Sequence, residues 1–173
     1  MSDTLVTIVA IGLAAVLMFV FPLMTMSDRT DDVSKLTVET ATTEFVDEIR
    51  TTGKITPDKY SKFIENIGST GNTYDVEMEV KVKDENPGKK TTQTAKDKIG
   101  ENVYYSVYTS QIEEKLNANQ DYKLKEGDIV SVDVKNTNQT LSQQLKNFFY
   151  SVVGKDTYTI AASHAGIVTA TGK

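Results

Sequence analysis

The sequence predicts an α+β protein in which one long N-terminal helix, apolar in its first half and amphipathic in its second, carries a small mixed or antiparallel sheet packed with helices. Three observations predict it. Leu5 to Met26 is a run of 22 residues without a charge. Beyond it, Val33, Leu36, Val38, Ala41, Phe45, Val46 and Ile49 recur at short helical spacings as far as Arg50, the pattern of one apolar stripe on a polar helix. Farther on, "TYDVEMEV" and "GDIVSVDV" alternate apolar and polar side chains, the period of strands with one face on a core.

At 1.5 Å per residue the uncharged run is long enough for a hydrocarbon layer of about 30 Å. The residues before it, Met1, Ser2, Asp3 and Thr4, include no base, and "PLMTMSD" offers no small-x-small cleavage site, so the segment is expected to be retained rather than removed as a signal peptide. Pro22 withdraws a backbone donor and is expected to kink the helix without ending it. Thr51, Thr52 and Gly53 supply the stop. The expected division is therefore a helix over 1–53, with 5–26 as its membrane or filament-core segment, and a globular α+β head over 54–173. Arg29 and Lys35 lie on the C-terminal side of the apolar run, and by the positive-inside rule they favour a cytoplasmic head.

In the head, Thr56 is a natural N-cap with Pro57 at the first helical position. Tyr60, Phe63, Ile64 and Ile67 share a face, and Gly68 is the stop. Tyr74, Val76, Met78, Val80 and Val82 then alternate with Asp75, Glu77, Glu79, Lys81 and Lys83. Residues 84–102 read as a long polar surface loop. Tyr104, Tyr105, Tyr108, Ile112 and Leu116 fit a helix running to about Ala118. Val130, Val132 and Val134 form the inward side of a second strand. A helix capped at Thr140 and closed by Gly154 follows, with a last strand over Tyr158 to Val168. The 23 threonines suit exposed strands and an extracytoplasmic domain.

The charge balance is 19 lysines and arginines against 24 acids, mixed along the chain after the apolar run. Such a surface offers no phosphate-binding footprint, so no nucleic-acid partner is expected. Cysteine is absent, which removes disulfides, thiolate metal sites and cysteine nucleophiles together. His164 is the only histidine and lies in the small-residue run "AASHAGI", where a structural or edge-strand role outweighs a catalytic one. Asp75, Glu77 and Glu79 read as a solvated strand face beside Lys81 and Lys83. "DENPG" at 84–88 has oxygen donors without the spacing of a calcium loop, and there is no glycine-rich phosphate loop or nucleophile elbow. Asn138 to Thr140 matches the glycosylation triplet, and a helix cap explains its threonine equally well. No catalytic set, cofactor or metal site is expected, and the chain does not read as an enzyme.

In "TLVTIVAIGLAAVLMFVFP" a patch of small residues precedes the proline. On this stretch, residues 1 to 50 resemble the N-terminal helix of type IV pilin-like proteins. "TGNTYDVEMEV" and "LKEGDIVSVDVKN" further resemble the pilin-like proteins of tight-adherence-type pilus loci in Gram-positive bacteria. The chain departs from the prepilin pattern in two ways: it has no basic leader ending in glycine, and Leu5 stands where a glutamate near the mature start is usual. The resemblance implies a structural subunit, held by a single pass in the cytoplasmic membrane, passed to a pilus assembly machinery, and packed by self-association into a helical homopolymer at the cell surface. This places the head outside, against the vote of Arg29 and Lys35. It assigns the assembly helix four positions. Asp3 either neutralises a neighbour's terminal amine or sits at headgroup level in water, Gly12 and Ala15 permit close helix packing, and Pro22 sets a bend. The chain as given closes on "VTATGK" without an LPxTG-like motif, which disfavours sortase-built pili. The alternative from another class is a membrane-anchored accessory or binding module of a pilus or secretion apparatus that does not polymerise.

Overall fold

The computed structural model describes residues 2–84, 104–150 and 160–173. Helix α1, Ser2–Thr52, runs without interruption through Pro22, which lacks the amide that the carbonyl of Met18 would otherwise accept from. It ends where Gly53 enters the left-handed region at φ 67° and its amide donates to the carbonyl of Ile49 at 2.8 Å. Strand β1 is Lys54–Ile55 and α2 is Pro57–Gly68, the latter capped by Thr56, whose hydroxyl accepts from the amide of Lys59. Strands β2, Tyr74–Lys83, and β3, Tyr104–Tyr108, are followed by α3, Thr109–Asn117, and β4, Tyr122–Lys123. Strand β5, Ile129–Asn136, helix α4, Leu141–Tyr150, and strand β6, Ala161–Ile167, complete the chain.

The architecture is α+β. Four antiparallel strands lie in the order β3-β2-β5-β6, and β1 pairs with β4 in a separate two-stranded ribbon. The register sets Val76 opposite Val134, Met78 opposite Val132 and Val80 opposite Val130, so the inward side chains of β2 and β5 form one apolar layer. The C-terminal half of α1 closes that layer with Val38, Ala41, Phe45, Val46 and Ile49. Phe63 and Ile67 of α2 extend it, Phe45 and Phe63 stacking at 4.4 Å between ring centroids. Burying Val38, Val46 and Ile49 completely stabilises the arrangement by about 1.5–3 kcal/mol each. The second half of α1 is thus a core element of the head as well as a stalk.

Two expectations are corrected. Residues 104–108 are an edge strand, not the first turn of a helix: the free edge of β2 pairs with them from Glu79 to Lys83, and helix α3 starts only at Thr109. The tyrosines fit either period, and pairing with β2 decides for the strand. Threonine is also distributed differently from expectation. The described strands contain none, while α1 carries many whose hydroxyls turn back onto the carbonyl four residues earlier, as Thr25 does to Phe21 at 3.0 Å and Thr42 to Val38 at 2.7 Å. The predicted loop over 84–102, beyond Asp84, and the predicted helix end at Gly154 lie outside the described residues.

Candidate functional site

The two halves of α1 present different faces. Ser27, Asp31, Ser34, Val38, Ala41, Phe45 and Ile49, three or four residues apart, are buried against the head. Gly12, Ala15, Phe19, Pro22, Met26, Val33 and Leu36 also follow one another at spacings of three, four and seven, at exposed positions that Arg29 and Thr30 interrupt between Met26 and Val33. Met26 is 68% exposed and Val33 and Leu36 are each 64% exposed. Val33 and Leu36 were expected on the inward stripe, and the structure places them outside it. The inward positions at that level belong instead to small or hydrogen-bonded polar residues, Ser27, Asp31 and Ser34, because the head's last helix is seated there.

Each expected assembly residue can be placed on this helix. Asp3 is exposed at its start, and its carbonyl accepts from the hydroxyl of Thr7 at 2.7 Å. That internal bond lets a threonine sit in an apolar segment without an unsatisfied donor. A Cβ built on Gly12 meets nothing within 4 Å, so no contact within the chain requires glycine there. Ala15 and Pro22 are exposed on the same face as Gly12. Met26, Arg29, Thr30, Val33 and Thr37 also line a shallow groove of about 560 Å³ closed by Ser69 and Thr70 at the end of α2. The helix is long and apolar enough to cross a membrane.

Where the apolar segment ends, a polar junction begins. Asp31 accepts from the hydroxyl of Thr140 at 2.6 Å, both groups being buried. Thr140 is itself the cap of α4: its hydroxyl accepts from the amide of Gln143 at 3.2 Å, and Gln143 Oε1 accepts from the amide of Thr140 at 3.0 Å. Asp28 is held by the Lys146 ammonium at 2.5 Å and by the hydroxyl of Ser142. The Lys146 contact first, and then the Ser142 hydroxyl, hold the Asp28 carboxyl below its ordinary value. Two carboxylates at the first turn of α4 also complement the positive end of that helix. The sequence showed the Thr140 cap but not its partner 109 residues away. The available signal was two acids, Asp28 and Asp31, on the inward period of α1 just past its apolar run.

Asn138 is drawn into a neighbouring network: its amide donates to Asn72 at 2.9 Å and its carbonyl oxygen accepts from the backbone of Thr73 at 2.9 Å. His164 lies half-buried on edge strand β6, 3.7 Å from Asp47 of α1. Gly166, on the same side of β6, lets the Arg50 side chain approach to within 2.5 Å of where a Cβ would stand, and Arg50 Nε donates to the carbonyl of Ile167 at 3.0 Å. The small residues of "AASHAGI" thus serve the close crossing of α1 over β6. Among the described residues no group of three or more histidine, aspartate or glutamate side chains is arranged to hold a metal ion. Comparison with protein families, with curated proteins and with solved structures finds no match to this chain.

Proposed function

We propose that this chain is a pilin-like structural subunit that packs α1 against α1 of other copies in the core of a cell-surface filament, after a stage in which 5–26 spans the cytoplasmic membrane. The observation that carries this reading is the set of exposed apolar positions that runs along α1 from Gly12 to Met26 and resumes, past Arg29 and Thr30, at Val33 and Leu36. Lipid can cover it as far as Met26, but Val33 and Leu36 stand ten to fifteen ångströms farther along the helix, by roughly 1.5 Å per residue, beside the water-exposed head. A bundle of neighbouring copies covers both parts at once, and moving from lipid to bundle exchanges one apolar contact for another, so packing shape decides the register. In this reading Gly12 and Ala15 admit a neighbouring helix closely and Asp3 takes part at the polar end. The long apolar helix packed on a small sheet is compatible with a pilin-like fold, and the resemblance to tight-adherence-type pilins of Gram-positive bacteria belongs to the same proposal, as do an assembly machinery and an external head.

Two substitutions test it. Gly12→Asp places a charge in the apolar segment, at roughly 3 kcal/mol per subunit on insertion scales. Val33→Glu charges the same face outside the membrane-length run, leaving insertion untouched. Both are expected to abolish filaments in sheared surface material while the membrane-held Val33→Glu protein accumulates to normal levels. Filaments of ordinary abundance built from Val33→Glu subunits would sink the reading.

A further inference from the structure

From Asp3 to Met26 every residue of α1 is exposed except Val20 and Met24. The two stand one turn apart and continue, toward the N-terminus, the line of Ser27, Asp28 and Asp31 on which α4 is seated. The contacts of α4 give its direction. Thr140, just before its first turn, meets Asp31, whereas Ser142 and Lys146 meet Asp28, three residues nearer the apolar end of α1. Helix α4 therefore descends along α1 toward the apolar segment. From Lys146 to Tyr150 it advances about 6 Å more, at 1.5 Å per residue, which brings its end from the level of Asp28 to that of Met24.

The composition of α4 changes along that path. After Leu141 come Ser142, Gln143 and Gln144, then Leu145 and, past Lys146 and Asn147, the aromatic run Phe148, Phe149 and Tyr150. Met26 closes a segment of bilayer length, so the last turn of α4 lies at the depth where hydrocarbon meets headgroups, the layer that aromatic side chains favour. We infer that the C-terminal half of α4 is a membrane-interfacial element, set into the headgroup–acyl boundary at the level of Met24 while the chain is held in the bilayer. Lipid is the occupant because this turn stands at the depth of α1's own apolar segment, and a polar partner would have to enter the same layer. The head then rests on the membrane through α4 besides hanging from α1, and the Asp28 and Asp31 junction fixes its height. The inference depends on 5–26 spanning the membrane and is independent of polymerisation.

The chain contains no tryptophan, so a single introduced one reports its own surroundings. The full chain, reconstituted in phosphatidylcholine–phosphatidylglycerol vesicles, would carry tryptophan in turn at Leu145, Phe148 and Phe149. Phe19→Trp serves as the reference inside the span and Ile167→Trp, beside Arg50 at the far end of α1, as the reference in water. At one or more of the three α4 positions the emission is expected to shift to the blue and to be quenched by lipid brominated near the headgroup more than by lipid brominated near the chain end. Water-like emission at all three, with Phe19→Trp quenched, overturns the inference and leaves the anchor standing. Blue-shifted emission without lipid quenching overturns it as well, since α4 is then covered by protein. Loss of quenching at Phe19→Trp overturns the anchor and the inference together.

Discussion

At Gly53 the backbone adopts φ 67°, and a Cβ there would collide with the carbonyl of Ala170 and the amide of Gly172. The same residue accepts from the amide of Leu124 at 2.8 Å, and Gly172 donates to the carbonyl of Leu124 at 2.9 Å, so three distant segments meet on a residue without a side chain. Gly53→Ala is expected to lower the stability of the detergent-solubilised chain by about 1–3 kcal/mol from the backbone conformation alone, and by more once the contact with the C-terminal segment is forced apart. Urea denaturation followed by circular dichroism measures this, and an unchanged midpoint would show that the close approach carries no weight. The helix stop at Gly53 is legible in sequence because it is local. The need for glycine on account of residues 170–172 is not, because nothing near position 53 records which segment will cross it. Thr140 repeats the lesson: its capping role follows from its neighbours, its bond to Asp31 from the tertiary fold.

Among the elements, α1, α2, β2 and β5 are legible because their apolar periods are long and point to one structure. The edge strand β3 is not, since "YYSVY" satisfies a helical and a strand spacing, and the two-residue strands β1 and β4 are too short to carry a period. The inward stripe of α1 is legible from Val38 onward and misleading before it, because polar side chains there are partners of α4 rather than solvent. That junction is sensitive to acid. The folded environment lowers the pKa of Asp28 from its ordinary 3.8, so the ionised carboxylate stabilises the seat of α4 above that value. The stabilisation is lost as pH falls below it, toward the lowered folded value. Hydrogen exchange of the α4 amides, corrected for intrinsic rates, is expected to show falling protection below about pH 4. Asp28→Asn is expected to show weaker protection at neutral pH and less pH dependence. Protection equal to the parent's in Asp28→Asn would mean that Asp31 and Thr140 hold α4 unaided.

For the whole molecule, the described sheet and shorter helices are gathered on one side of α1's second half, leaving open an apolar face along the first half that resumes, past Arg29 and Thr30, at Val33 and Leu36. Sequence marks the apolar segment, and the assembly roles of Gly12, Ala15 and Pro22 remain part of the proposal. It could not say which face would stay open, because that depends on where the head packs. Filament assembly requires this open face to be covered by other copies, whereas a solitary anchored protein leaves it to lipid and water. Negative-stain electron microscopy of material sheared from cells that make the protein, with gold-labelled antibody against the head, tests this most directly. The account predicts filaments decorated along their length, built from chains that keep the apolar segment. Head label confined to the membrane fraction, with no labelled filaments, would contradict it and favour an anchored accessory protein.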